Sequence, residues 1–142
     1  MKRILVALDS SPRAPLVLKA AARLADLTNA KLVLFRAVGI PPDMPRDLFK
    51  VSDVRLDDYI RENARTDLER IASDTRPDLI EAITTAFAMP WDGICRAAIE
   101  HHADLIVLGS HGYSGLDRVL GTTAAKVVNH ADRNVMVVRT LL

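Results

Sequence analysis

The chain lacks almost everything that would staple it, anchor it or give it a strong field. Cys95 is the only cysteine among 142 residues, which excludes an internal disulfide and fits a reducing compartment. With 19 basic residues against 18 acidic ones, the net charge of +1 provides no global field to hold nucleic acid or an anionic membrane. No apolar run approaches the ~18 residues of a membrane span. The start, Met1 to Asp9, has a basic opening but only five consecutive apolar residues, too few for the apolar region of a signal peptide. Repeats, low-complexity tracts and internal linkers are missing as well. What remains is an ordinary globular composition, 49% hydrophobic and 26% charged, consistent with a single domain over 1–142. A chain of this size buries roughly 70% of its unfolded surface without staples. The expectation is a soluble, cytoplasmic protein with neither a nucleic-acid nor a membrane partner.

Familiar catalytic signatures are absent too. No G-x4-GK[ST] occurs, so a nucleotide is not held as in a P-loop enzyme. Gly112-Tyr-Ser114-Gly115 has the look of a nucleophile elbow, but Leu116 stands where the second glycine belongs, and a serine hydrolase is rejected. His111 has no nucleophile or orienting carboxylate at a recognisable spacing; it reads as a loop residue that contacts ligand or folds back on backbone. His101 and His102 are adjacent at a helix end, which points their rings roughly 100° apart and makes them poor chelators of one metal. They read as a core-edge contact and a surface residue. Cys95 reads as a small buried hydrophobe, and Trp91 as core.

What is present alternates. A continuous apolar run at Ile4–Leu8, largely apolar runs at Lys31–Val38, Leu105–Leu108 and Val135–Val138, and the mix of Ile, Thr and Phe over Leu79–Phe87 read as strands of a sheet covered on both faces. Between them lie helical patterns. Ser10-Ser11-Pro12 supplies a cap for a first helix striped by Leu16, Ala20, Leu24 and Leu27. From Gly39 to Asp53 the pattern fails, because Pro41, Pro42 and Pro45 forbid regular structure in its first half; the segment is a lid or a loose excursion. Leu56, Ile60, Ala64, Leu68 and Ile71 mark a long helix closed by Pro77. Pro90-Trp91 opens a third helix with Trp91, Ile94 and Ala98 inward, and Thr122 to Ala131 forms a fourth. The pattern predicts an α/β fold: a five-stranded parallel, doubly wound sheet of Rossmann or flavodoxin type with four helices. In the order 3-2-1-4-5, ligand binds beyond the strand ends between strands one and four, where Asp9 and Gly109 meet.

The most informative stretch follows strand four. Gly109, Gly112, Gly115 and Gly121 let backbone N–H groups approach a ligand, and Gly121-Thr122-Thr123 opens a helix whose unpaired N–H groups and dipole favour an anion. The combination suits phosphate. Arg118 and Lys126 are available to neutralise charge but read more readily as solvated. Asp9 reads equally as a ligand to hydroxyls and as a helix cap.

Taken together, Ile4-Leu-Val-Ala-Leu-Asp9-x-Ser11, Ala103-Asp-Leu-Ile-Val-Leu-Gly109-Ser-His-Gly112 and Val135-Met-Val-Val138 resemble the universal stress protein family over nearly the whole chain. ATP-binding members carry G-x2-G-x9-G-[ST]. Here Gly109-x2-Gly112 matches, but eight residues, not nine, precede Gly121-Thr122, and Ala88 stands where a glycine is usual before the third helix. The resemblance implies ATP as ligand, with or without Mg2+. It implies that Asp9 holds the ribose or a metal ion near it and that Val38 lines the adenine with backbone contacts. Gly109, Gly112, Gly121, Thr122 and Thr123 would cradle phosphates, with His111 among the ligand-contacting residues. It also implies a homodimer paired through the edge strand Val135–Val138. The expected function is a nucleotide-dependent stress-response switch seen by a protein partner. The alternatives are a dimeric interaction protein that binds no nucleotide and, more weakly, a slow nucleotide hydrolase; no catalytic residue is assigned.

Overall fold

The computed structural model describes residues 1–39, 47–110 and 120–140. They form β1 (Arg3–Ala7), α1 (Ala14–Thr28), β2 (Lys31–Val38), α2 (Asp47–Ala72), a short 3-10 turn (Pro77–Leu79), β3 (Ile80–Phe87), α3 (Pro90–Glu100), β4 (Leu105–Gly109), α4 (Thr122–His130) and β5 (Asn134–Val138). The sheet is parallel, in the order β3-β2-β1-β4-β5, as expected from the alternation of elements.

A parallel strand with helices on both sides has no polar face, which is why Ile4, Leu5 and Val6 are all fully buried. Alternation then sorts the core. Ile4, Val6, Leu32, Leu34 and Val107 pack under α1 and α2, whereas Leu5, Val33, Phe35 and Ile106 pack under α3 and α4. Leu56, Ile60, Ala64, Leu68 and Ile71 are buried or half-buried along α2, as its stripe predicts.

Three expectations need correction. The first helix begins at Ala14, not after Ser10-Ser11; Arg13 is its N-cap and Pro15 is the proline of its first turn. Its inner stripe is Ala14, Val17, Leu18, Ala21 and Ala25, while Leu16 and Leu27 face solvent. Small residues let α1 lie close to the sheet, and a Cβ added at Gly109 would come within 3.2 Å of Val17 Cγ2. Finally, α2 starts at Asp47, inside the segment expected to be irregular, because the last proline there is Pro45. It also ends at Ala72, before a turn, and Pro77 opens the 3-10 turn that follows.

The helix ends explain several other residues. Asn29 takes a left-handed φ of 58° after α1, and Ala30 N–H returns to Ala25 O at 3.0 Å. His102 does the same after α3, with φ 52° and Ala103 N–H on Ala98 O at 2.9 Å. Arg133 Nη1 then donates to the carbonyls of Ala98 and Ala103, at 2.9 and 2.8 Å, tying the end of α3 to the start of β5. The His101-His102 pair is therefore accounted for by chain reversal. On the same side α3 crosses β2 closely at Gly93, where a Cβ would stand 2.9 Å from Ala88 Cβ and 3.3 Å from Phe35 Cζ.

Candidate functional site

The connection after β1 leads to α1 on one face of the sheet, and the connection after β4 leads to α4 on the other. A crevice opens where the two part. It is a cleft of about 550 Å3 whose lining includes Asp9, Ser11, Arg13, Phe35, Arg36, Ile94, Gly109, Thr122 and Thr123. Leu8, Phe35, Ile94 and Leu108 give it an apolar floor, and the polar groups lie at the strand ends.

Of the residues singled out in the sequence, Asp9, Gly109, Thr122 and Thr123 share this cleft. Asp9 is exposed, and its Oδ1 accepts the Ser11 N–H at 2.9 Å. That is an Asx turn rather than a helix cap, since the N-cap of α1, Arg13, lies four residues further on. Asp9 accepts no other side-chain hydrogen bond among the described residues. Gly121 is the N-cap of α4, with φ −61° and ψ 160°, a conformation open to any residue. Its N–H is held by Ser110 O at 2.9 Å and its carbonyl accepts the Ala125 N–H at 2.9 Å. Among the described residues no side chain caps α4, which leaves the first-turn N–H groups of Thr122, Thr123 and Ala124 without a capping partner at the cleft wall. Val38 is buried at the end of β2, with its carbonyl accepting the Ala88 N–H at 3.2 Å; the cleft is lined instead by Phe35, Arg36 and Ala37. His111, Gly112, Gly115 and Arg118 lie outside the described residues. Lys126 is exposed and away from the cleft. Trp91 is half-buried against the α3–α4 core, its ring 4.5 Å from that of His130. Cys95 is half-buried, and burial, with Asp92 and Asp132 nearby, pushes its thiol up, away from reactivity.

Two arginines were not singled out from the sequence. Arg36 interrupts the apolar run of β2, which is the signal that was available. It is 9% exposed. Its Nε donates to Leu8 O and its Nη2 to Asp9 O, both at 2.8 Å, and its Nη1 pairs with Asp67 Oδ2 of α2 at 2.8 Å. One guanidinium thus holds the end of β1, fixes the backbone from which Asp9 projects, and binds that backbone to α2. Arg13, at the start of α1, left no signal beyond its charge. It lines the cleft and a recess of about 30 Å3 beside it, formed with Asp9, Val17 and Gly109 among others.

This geometry defines a doubly wound α/β protein with an open crevice at its switch point. The comparisons name the class further: a family model described as the universal stress protein family matches residues 1–139, and the chain belongs to that family. It is 30% identical to universal stress protein A homolog 1 of Coxiella burnetii, across 96% of this chain and 95% of the relative. Among solved structures it is similar to universal stress protein UspA from Lactobacillus plantarum (29% identity, TM-score 0.76, 97% of each chain covered). It is also similar to a universal stress protein solved in complex with cAMP (25% identity, TM-score 0.66, 99% and 98% covered). No helix of the described residues is long and apolar enough to cross a membrane.

The Arg36–Asp67 link has a pH signature. Hydrogen bonding from Arg70, and then from Arg36, holds the Asp67 carboxyl below its ordinary 3.8. Its stabilising contribution is therefore complete above that value and is lost as pH falls through the lower, folded-state value. Asp67→Asn should destabilise the protein by roughly 1.5 kcal/mol at pH 7, the low end for a hydrogen bond to a charged group because Asp67 is partly exposed. In urea titrations the difference from wild type should shrink below about pH 4. A difference that is constant from pH 7 to pH 3 would contradict the assignment.

Proposed function

We propose that this protein binds an adenine nucleotide in the cleft, with ATP as the ligand, and acts as a nucleotide-dependent switch in a cytoplasmic stress response. The observation that carries the reading is the convergence, in one crevice, of a hydroxyl-seeking carboxylate and an uncapped helix N-terminus. Asp9 suits ribose hydroxyls and would repel bare phosphate, whereas the free N–H groups at Thr122–Ala124 suit phosphate oxygens. The apolar floor of Phe35, Ile94 and Leu108 suits a base. The relative solved with cAMP supports a nucleotide as the class of ligand.

Magnesium fits only as a companion of the phosphates. Among the described residues no three carboxylate, imidazole or thiolate groups gather as a metal site. Mg2+ keeps most of its waters and takes one or two carboxylates beside phosphate oxygens, so Asp9 is the residue that would hold it. In that role it would neutralise phosphate charge. The proposal assigns no catalytic residue. Its output is a change in the surface presented to a protein partner by the segments flanking the cleft.

The test is calorimetric titration of the nucleotide-stripped protein with ATP and Mg2+. Saturable binding is expected, weakened about tenfold in Asp9→Ala by loss of charge-assisted hydrogen bonds. No heat, with an unshifted melting temperature at high ATP, would overturn the reading.

The proposal includes a homodimer through β5. This strand has β4 as its one neighbour in the sheet, and Val135, Met136, Val137 and Val138 are only partly covered. An apolar edge of that kind favours pairing with another copy. Sedimentation equilibrium should give twice the chain mass of 15.6 kDa. A monomer mass at high protein concentration would remove this part of the proposal.

A further inference from the structure

We infer that Arg13 makes the cleft select nucleotides that carry outer phosphates, an inference that rests on the nucleotide reading above. Among the described residues, three charged side chains line the cleft: Asp9, Arg13 and Arg36. Arg36 is fully engaged by Leu8 O, Asp9 O and Asp67. Asp9 has the wrong sign for phosphate. Arg13 has no carboxylate within ion-pair distance among the described residues, and its Nε is buried without any hydrogen-bond acceptor.

A buried N–H left unpaired is unfavourable for the fold. A ligand oxygen in the cleft would supply the missing acceptor once the Arg13 side chain turns to present that Nε, which is closed to solvent in the fold. The backbone around Arg13 offers no substitute donor. Ala14 N–H is already on Ser11 O at 3.2 Å, Pro15 has none, and the N–H groups of Leu16 and Val17 both return to Arg13 O, at 3.0 and 3.3 Å. On this wall of the cleft, Arg13 is the one cationic side chain among the described residues that is free of a carboxylate partner, beside the hydroxyls of Ser10 and Ser11, while the wall at α4 offers N–H groups.

The location fits an outer phosphate. Arg13 N–H is held by Ser11 Oγ at 3.3 Å, and Ser11 N–H by Asp9 Oδ1 at 2.9 Å. One short turn thus sets the acid suited to ribose and the base suited to phosphate a few residues apart. The recess shared by Arg13, Asp9 and Gly109 marks the point where the ends of β1 and β4 meet. The ligand class is a nucleoside di- or triphosphate, whose charge beyond the first phosphate is what an uncompensated guanidinium discriminates.

Calorimetry of wild type, Arg13→Gln and Arg13→Lys with adenosine, AMP and ATP tests this. Arg13→Gln should weaken ATP about tenfold while leaving adenosine within about twofold, and Arg13→Lys should fall between. The ATP affinity of Arg13→Gln should also depend less on salt. Unchanged ATP affinity in Arg13→Gln, or equal loss for ATP and adenosine, would overturn the inference while leaving the nucleotide reading in place. Failure of wild type to bind either ligand would overturn both.

Discussion

A parallel sheet of five strands has to be covered on both faces, and a chain that covers both must at some point reverse its winding. Here the reversal falls between β1 and β4. The site follows from it, because the connections leaving these two strands diverge and, among the described residues, no helix closes the gap. The core makes the gap rigid: β1 and β4 are buried almost throughout, α1 is seated closely on the sheet through its alanines, and α3 crosses β2 at Gly93 with no room for a Cβ. The cleft is thus a product of packing before it is a product of chemistry.

Charge then divides the cleft by function. Buried guanidinium groups are tolerated when their donors are matched, and Arg36 meets that condition with two carbonyls and a carboxylate. Its placement ties together β1, the turn that carries Asp9, and α2, so a displacement of α2 has a direct mechanical route to the cleft. Arg13 is the opposite case, with a buried donor unmatched in the fold itself. Unsatisfied polar atoms of this kind gather where a ligand completes the structure, and that contrast between two arginines on one wall is the physical basis for assigning them different roles.

Much of the architecture could be read from the sequence. The strands appeared as largely apolar stretches, β2 with its observed bounds and the others within a residue, and strand order followed from the strict alternation of elements. What misled was size. Leu16 and Leu27 were weighed above alanine, yet the close approach of α1 selects Ala14, Ala21 and Ala25 for the buried stripe and turns those leucines outward. The prolines at 41, 42 and 45 overstated the irregular segment, since helix resumes at Asp47. At the site, Asp9, Gly109, Thr122 and Thr123 were legible because turns and helix starts leave compositional marks. Gly109 proved to be needed for contact with Val17 as well as for its place in the cleft. Arg36 and Arg13 were not legible in that way, because the meaning of a charge depends on which partners tertiary structure brings to it.

The central claim is that the crevice between β1 and β4 receives a phosphorylated ligand on the first turn of α4. The most direct measurement is an amide NMR titration of the 15N-labelled protein with ATP. The account predicts that the largest shift changes fall on the amides of Thr122, Thr123 and Ala124, with a second group at Asp9 to Arg13. Changes confined to the separate groove that residues 84–87 of β3 line together with Asp92 and Arg96 of α3, or no changes at saturating ATP, would contradict it.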